Sequence, residues 1–566
     1  MKHAGSLATT LLLALLAAAP ALFAGAVVSL SPEMPAVAAA GVPKLYETVP
    51  DADWMEKCLR LIPGTAYRWV VAPKEPISVR ASASSEAKGT KARLTAWDWH
   101  NQPVYTDVHV VPFDETVTFE TAGRGCYTLT LDLFDGDRCT ARLVRSFAAC
   151  ADNRERRALW KSSEFFVGSC SFPGRQHWAN DFGPANPPGL TEQASREMDA
   201  ELSAKMGLQV IRINPHVEWA SAESSMDFAR ADAAVQAFAA RGFILDIQLD
   251  PAPDWAVLPA YKGRKDPLWR YPHQEGPTRR LASECAGRYG KYAAFFEIYN
   301  EPDNPEFWRG TVPEFVDYTR WCAEEIRKAA PGLPIANGGY TLIEPEKTAA
   351  MVRGVRGQVD FAAYHYHGTV DRLPAAFATY RAMHAAAGYE QPAFVDTEMG
   401  YAAWRLDVER DMAAATVHKL LFSWAHGHKG ALLYCTRDIG GPRQRPTDPD
   451  CGCIDYFMCP RRAYGAVSAL IDHLGGLRAD SVLCEKQQLY AYAFQAGDRR
   501  AIALFAPDGS SRTVTVVSDA ASAELVDVMG NATPAANPAD VPVKTQLYPT
   551  YIILHGASKA HVDGVP

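Results

Sequence analysis

Eight short apolar runs, separated by long stretches with helical periodicity, are the feature that most constrains the fold of this 566-residue chain. Runs of this length bounded by turn residues predict buried strands, and the stretches between them predict amphipathic helices. The predicted strands cover residues 165–169, 209–214, 243–249, 295–300, 333–337, 359–365, 392–397 and 430–435. Because a doubly wound sheet seldom reaches eight even repeats, the pattern predicts an α/β fold, a (β/α)8 barrel over residues 155–476.

Alternation of apolar and polar residues with a period of two flanks the barrel region on both sides. Before it, the segments ISVRASAS and YTLTLDLF, with a hairpin turn at Asp135-Gly136, predict an N-terminal β-sandwich over residues 41–152. After it, LYAYAF, AIALFA and YIILHG predict a C-terminal β-sandwich over residues 477–556. We expect residues 557–566 to form a loose tail.

The N-terminus predicts a signal peptide over residues 1–40, since Lys2 precedes an apolar stretch from Leu7 to Val28 and small residues follow at Ala38 to Ala40. We therefore expect a secreted or periplasmic protein. The apolar stretch is also long enough for a membrane anchor, which stays open as an alternative. No later segment has this length and composition, so we expect no membrane span after cleavage.

The overall charge argues against one class of partner. With a formal net charge of −8 at pH 7 and a pI near 6.0, the chain has no basic excess with which to bind nucleic acid. Cys451, Cys453 and Cys459 lie close together, which favours a disulfide that closes a loop. A zinc site is the alternative, but it needs a fourth ligand. We expect no cofactor and no bound metal.

Polar residues at the carboxyl ends of the predicted strands are the candidate site residues, because barrel enzymes build their active sites there. Asn300 and Glu301 end strand four, Glu398 ends strand seven, and Arg212 lies near the tip of strand two. Both Asn300 and Glu301 are expected to face the barrel mouth because Pro302 ends the strand pairing. Further candidates for contact with a substrate are His365, Tyr366, His367, Trp255, Trp404 and Tyr434.

Two glutamates on strands four and seven stand across the barrel mouth, which suits hydrolysis of a glycosidic bond by a carboxylate pair. One carboxyl group has to be protonated and the other ionised, and Arg212 with hydroxyl or imidazole donors would keep the second one ionised. Asp396 competes with Glu398 because it lies two residues earlier on the same strand face. A metal-dependent hydrolase built on His365 and His367 is an alternative.

The motif Glu297-x-x-Asn300-Glu301-Pro302, with Thr397-Glu398 on strand seven, resembles the clan A retaining glycoside hydrolases. The resemblance is greatest to family 39, which includes β-xylosidases, α-iduronidases and some endoglycosidases. It implies a retaining double displacement in which Glu301 is the acid/base, Glu398 is the nucleophile and Asn300 binds the sugar 2-hydroxyl.

Other positions match this family less completely. Arg212 matches its strand-two arginine and His365 the histidine of its His-x-Tyr pattern on strand six, but His367 stands where the tyrosine is expected. Tyr434 stands where a tryptophan platform is common. The resemblance therefore implies a glycosidase that cleaves O-glycosidic bonds of a poly- or oligosaccharide. A catalytically inactive carbohydrate-binding protein is the alternative.

Overall fold

The computed structural model describes residues 55–63, 69–121, 123–159, 164–172, 186, 190–402, 409–438 and 451–565. The predicted signal peptide and Trp404 lie outside these residues. Within these ranges, no helix combines the length and the apolar character that crossing a membrane requires.

Eight parallel strands form a closed barrel in which each strand pairs with its neighbours in chain order and the last pairs with the first. The strands are Phe166–Cys170, Val210–Ile213, Ile244–Leu249, Ala293–Ile298, Ile335–Asn337, Phe361–His365, Ala393–Gly400 and Gly430–Tyr434. All eight predicted strands are present, and the α/β fold class with a TIM barrel is confirmed. We number them as barrel strands one to eight.

One α-helix follows each barrel strand. The helices are Glu192–Met206, Ala229–Ala239, Glu275–Tyr289, Val312–Ala329, Pro345–Gly354, Leu373–Ala386, Glu409–Ala425 and Arg462–Leu474. The fourth begins with a capping box, in which the Thr311 hydroxyl accepts from the Glu314 amide and the Glu314 carboxylate accepts from the Thr311 amide. Its buried side, which includes Phe315 and Ile326, packs into the main hydrophobic core.

Apolar side chains fill the lower half of the barrel interior. This cluster includes Val210, Phe295, Ala363, Val395 and Leu432. Because side chains on a strand alternate with a period of two, the residues two positions further on point the same way and form the next layer towards the carboxyl ends. Those residues are Arg212, Glu297, His365, Thr397 and Tyr434. The alternation therefore places a polar layer directly above an apolar one.

Antiparallel sheets flank the barrel in sequence, as predicted. The N-terminal region begins with a short helix, Met55–Cys58, and is followed by a 3-10 helix, Glu155–Leu159. One N-terminal sheet contains Leu59–Pro63, Ile77–Ala83 and Phe113–Phe119, and the other contains Val70–Val71, Arg138–Ala149, Gly125–Asp135, Lys91–Trp97 and Pro103–Val110. Side chains of both sheets share one hydrophobic core, in which Val79 and Leu94 are completely buried.

The C-terminal region also contains two sheets. The larger contains Arg478–Lys486, Leu489–Ala496, Arg499–Phe505, Thr550–His555, Ser522–Val526 and Ala532–Pro534, and the smaller contains Asp540–Lys544, Thr513–Ser518 and Ala560–Asp563. The prediction of a loose tail is wrong for Ala560–Asp563, which pairs antiparallel with Thr513–Ser518. Val562 is buried in this pairing. The segment is short, but its period-two pattern suffices to complete the sheet.

The predicted disulfide loop differs from the structure. Cys453 and Cys459 are free, buried thiols, so neither closes a disulfide. Backbone hydrogen bonds hold this segment instead, with Cys453 donating to the Cys435 carbonyl at 3.0 Å and Ile454 to the Thr436 carbonyl at 3.0 Å. The segment therefore pairs with the chain that follows barrel strand eight.

Candidate active site

The regular alternation of side chains between the two faces of barrel strand four breaks off where the strand ends. The strand stops at Ile298, and Tyr299 and Glu301 adopt left-handed conformations with φ of 72° and 44°. Left-handed backbone costs energy for residues other than glycine and is found where the surroundings hold it. Here the Glu301 amide donates to the Gly338 carbonyl at 2.5 Å. The two left-handed residues, rather than Pro302 alone, bring Asn300 and Glu301 to the same mouth.

Barrel strand seven has a β-bulge at the position of its glutamate. Tyr364 pairs with Asp396 while the next residue, His365, pairs with Glu398, so Thr397 is an extra residue in the ladder. Such a bulge re-aims a side chain, and both Thr397 and Glu398 face the polar layer. Asp396 is completely buried, whereas Glu398 is 7% exposed. Burial raises the pKa of Asp396 to about 7, although the positive charge of Lys419 lowers it.

Arg212 joins three site residues. Its Nε and Nη1 donate to the Glu297 and Glu398 carboxylates, and its Nη2 donates to the Asn300 Oδ1 at 2.8 Å. All of these groups are buried or nearly so, which strengthens hydrogen bonds to charged partners. Barrel strand two therefore fixes residues of strands four and seven relative to each other.

His365 lies between the two candidate catalytic glutamates. Its Nδ1 is 2.9 Å from the Glu301 Oε1 and 3.6 Å from the Glu398 Oε2. Its Nε2 is 3.1 Å from the Thr397 hydroxyl, which itself donates to the Glu297 Oε1 at 2.9 Å. Because the Thr397 proton is used on Glu297, its oxygen accepts from His365, and Nε2 carries a hydrogen.

The two glutamates are close enough to act on one bond. One oxygen from each of Glu301 and Glu398, with one nitrogen from each of His365 and His367, all lie within 4.8 Å of one another. Glu301 and Glu398 are each 7% exposed, so both carboxylates reach the barrel mouth. The second oxygen of Glu301 accepts from the Asn304 amide at 2.8 Å.

Burial and charge act in opposite directions on the pKa of these groups. Burial raises the pKa of Glu398, but the positive charges of His365 and Arg212 outweigh it and hold that pKa well below its usual range. Burial lowers the pKa of His365, yet the Glu398 charge and the bonds to Glu297 and Glu301 raise it to about 10. At neutral pH Glu398 is therefore ionised and His365 is charged.

A further carboxyl group lies below this layer on barrel strand three. Asp246 is completely buried, has no hydrogen-bond partner on either oxygen, and lies 3.6 Å from the Arg212 Nε. Burial, followed by the negative charge of Glu297, raises the pKa of Asp246 well above its ordinary value. Both effects favour the neutral form of Asp246, whereas Arg212 donates to Glu297 and Glu398.

The remaining predicted site residues lie at different depths. The His367 side chain is 36% exposed, with its Nε2 3.6 Å from the Glu398 Oε2, and the ring of Tyr434 stands nearly perpendicular to it at 5.5 Å. The Tyr366 hydroxyl instead donates to the Thr369 carbonyl at 2.8 Å. Trp255 donates its indole N–H to the Trp219 carbonyl at 2.9 Å. Trp404 is outside the described residues.

Three site residues received no role from the sequence. Glu297 was part of the motif, and Thr397 follows the buried Val395 by two positions, so the period of two could have placed both in the polar layer. Asn304 had no such signal, because it lies in a loop whose fold returns it to Glu301.

Comparison with known proteins shows a resemblance to glycosidases. The sequence model of glycosyl hydrolases family 39 matches residues 261–383, a segment that contains Asn300, Glu301 and His365 but neither Arg212 nor Glu398. A search of curated proteins found no match. The chain is a glycosidase that resembles family 39. The predicted resemblance and enzyme class are thereby confirmed.

One solved structure of a family 39 glycoside hydrolase has the same fold. A family 39 glycoside hydrolase from the gut symbiont Bacteroides cellulosilyticus WH2 superposes with a TM-score of 0.65 at 15% identity, over 88% of this chain and 100% of that chain. A monomeric β-xylosidase from Caulobacter crescentus CB15 gives a TM-score of 0.48 at 16% identity, over 69% of this chain and 96% of that chain. At these identities the first likeness establishes the fold of this glycosidase.

Proposed function

We propose that the protein is a retaining glycoside hydrolase that cleaves O-glycosidic bonds of a poly- or oligosaccharide, with Glu301 as acid/base and Glu398 as nucleophile. The observation that carries the proposal is that one carboxylate oxygen of Glu301 and one of Glu398 lie within 4.8 Å of each other. Retaining enzymes place their carboxyl groups about 5–5.5 Å apart, whereas inverting enzymes leave about 6.5–9.5 Å for a water molecule.

The charge distribution supports this assignment of roles. Glu398 is held ionised by Arg212 and His365, as a nucleophile requires. In the first step Glu398 attacks the anomeric carbon and forms a glycosyl ester, while Glu301 gives the departing oxygen the proton that it shares with the His365 Nδ1. In the second step Glu301 takes a proton from water, the resulting oxygen attacks the anomeric carbon, and the Glu398 carboxylate leaves.

Substrate contacts follow from the groups that line the mouth. The Asn300 carbonyl accepts from Arg212, so we assign its NH2 group to the sugar 2-hydroxyl. His367 and Tyr434 flank Glu398 and offer a polar edge and an aromatic ring to the bound sugar. Trp255 is partly buried against the core and donates its N–H to the Trp219 carbonyl, and it stays a candidate for stacking further out.

Two isosteric variants test the roles. On an aryl β-glycoside with a good leaving group, Glu398→Gln should abolish turnover, because both steps need the carboxylate. Glu301→Gln should lower the rate by about 10²–10⁴, which is the usual contribution of general acid–base catalysis. Glu306→Gln is the matched control, because Glu306 is 65% exposed in the same loop and pairs with Arg270. Near-full activity in either site variant would refute the assignment.

The stereochemistry and the substrate are tested separately. NMR of the first-formed anomer should show retention, and an inverted product would remove the nucleophile role from Glu398. A panel of aryl β-glycosides and of plant, algal and host polysaccharides would identify the sugar. Glycan affinity by calorimetry without any product after long incubation would favour the inactive carbohydrate-binding alternative instead.

We also propose that the enzyme is secreted or periplasmic. The proposal is supported by Lys2, the apolar stretch from Leu7 to Val28 and the small residues from Ala38 to Ala40. N-terminal sequencing of the exported protein should begin near residue 41, whereas an intact N-terminus on a membrane-bound form would favour the anchor alternative.

A further inference from the structure

Four possible ligand atoms, one each from Glu301, Glu398, His365 and His367, lie within 4.8 Å of one another, as the ligands of one cation do. Three of the six separations between them are 2.9 Å from the His365 Nδ1 to Glu301, 3.6 Å from that Nδ1 to Glu398, and 3.6 Å from the His367 Nε2 to Glu398. Ligands bound to zinc at 2.0–2.1 Å in a tetrahedron lie about 3.3 Å apart. The observed separations bracket that value.

Every ligand atom except that of His367 is oriented by a second interaction. Glu301 turns Oε1 towards the centre while Asn304 holds its Oε2, and Glu398 turns Oε2 towards the centre while Arg212 holds its Oε1. Metal sites rely on such outer partners to fix ligand orientation. The arrangement is therefore built around a centre rather than being a chance cluster of acids.

The hydrogen bonds of His365 determine what its other nitrogen can hold. Thr397 donates to Glu297 and so accepts from the His365 Nε2, which leaves Nδ1 facing the carboxylates of Glu301 and Glu398. A nitrogen lone pair that faces two carboxylates is repelled by them unless it binds a proton or a metal cation.

The charge of the site favours a divalent cation when that proton is absent. The carboxylates of Glu297 and Glu398 pair with the guanidinium of Arg212, and the carboxylate of Glu301 lies beside His365. A dication that displaces the proton between His365 and Glu301 would put its positive charge among these carboxylates. Two imidazoles and two carboxylates suit zinc, whereas magnesium and calcium prefer oxygen ligands alone.

We propose that the catalytic pair is also an inhibitory zinc site, formed by Glu301, Glu398, His365 and His367. The inhibitory effect of zinc rests on the proposed function, whereas zinc binding rests on the positions of the ligand atoms. A bound zinc ion replaces the proton at the His365 Nδ1 and occupies one oxygen of each glutamate, so neither can act on a sugar. The His367 side chain, 36% exposed, gives the ion its path from solvent.

Direct binding tests the site independently of turnover. Calorimetric titration of the full-length protein with zinc chloride in a non-chelating buffer should show one saturable site. His367→Ala and Glu398→Gln should each weaken zinc binding at least tenfold, and magnesium chloride should give no binding that depends on them. His561→Ala is the matched control, because this exposed histidine lies 3.3 Å from Asp563 on the last strand. Absence of saturable binding, or affinity unchanged in both site variants, would overturn the proposal.

Activity measurements separate the two proposals. Zinc should raise the KM for an aryl β-glycoside without lowering kcat, and EDTA should restore the original KM. If zinc binds at this site but no glycoside is cleaved, the hydrolase proposal fails and the cation site stands. If EDTA abolishes turnover and zinc restores it, the inhibitory role is overturned in favour of a metal-dependent hydrolase.

Discussion

Replacement of Arg212 by lysine isolates geometry from charge. Arg212 donates to three acceptors, on Glu297, Glu398 and Asn300, from three different nitrogens of one planar group. An ammonium group keeps the positive charge but cannot reach all three positions in the fixed directions that a guanidinium provides. The lysine variant therefore loses at least two charge-assisted hydrogen bonds but keeps the positive charge beside the carboxylates.

The magnitude follows from those two bonds. A hydrogen bond to a charged group contributes roughly 1.5–3 kcal/mol, so the gross loss is roughly 3–6 kcal/mol. Only the part that changes between ground state and transition state affects kcat/KM. We expect kcat/KM of Arg212→Lys to fall about 10²–10³-fold, which corresponds to roughly 2.7–4 kcal/mol. Arg212→Met should fall further, because Glu398 then also loses a charge that lowers its pKa.

Steady-state kinetics on an aryl β-glycoside, with circular dichroism melts on the same samples, measures both effects. Arg142→Lys is the matched control, since Arg142 makes a buried two-nitrogen contact with Asp132 in an N-terminal sheet. It should lower the melting temperature without changing kcat/KM. Arg212→Lys within about threefold of the wild-type kcat/KM would refute the reasoning, as would an equal loss in Arg142→Lys.

Two further predictions concern positioning and pH. Asn304→Ala should lower kcat about tenfold by freeing the Glu301 Oε2, since one hydrogen bond to a charged group contributes roughly 1.5–3 kcal/mol; an unchanged kcat would contradict this. Burial lowers the pKa of His418 to about 3, so the unfolded chain binds a proton below about pH 6.5 that the native chain excludes. The free energy of unfolding should therefore decrease as the pH falls from 6.5, by about 2 kcal/mol at pH 5 for this histidine. If urea titrations show that the free energy of unfolding depends equally on pH in the wild type and in His418→Gln, the prediction is contradicted.

The fold was predictable because its determinants are local. Each barrel strand is a short apolar run, and the helix after barrel strand four combines a buried apolar face with the capping box of Thr311 and Glu314. The last strand was not predicted, because Ala560–Asp563 is too short to be recognised as a strand without its partner Thr513–Ser518. The disulfide prediction was wrong because sequence spacing does not tell how thiols are buried.

The site was predictable where residues follow the strand period and not where they break it. His365 lies on the inward face by simple alternation from Ala363. Asp396 was a rival to Glu398 because a regular strand places both on one face. The bulge at Thr397 is a pairing irregularity that only the neighbouring strand reveals, and it removes that rivalry.

Two irregularities in the backbone therefore explain why an ordinary barrel becomes a catalytic one. A regular strand would turn Asn300 and Glu301 to opposite faces, and it would turn Thr397 and Glu398 to opposite faces as well. The left-handed residues after Ile298 correct the first case and the bulge corrects the second. Because the corrections occur on strands four and seven, they bring two carboxylates to within 4.8 Å over a layer that Arg212 and His365 hold charged. Both acids lie beside His365, but their second partners differ: Glu398 receives the guanidinium of Arg212, while Glu301 receives the neutral side-chain amide of Asn304. That difference supports the proposed roles, with the nucleophile on strand seven and the proton donor on strand four.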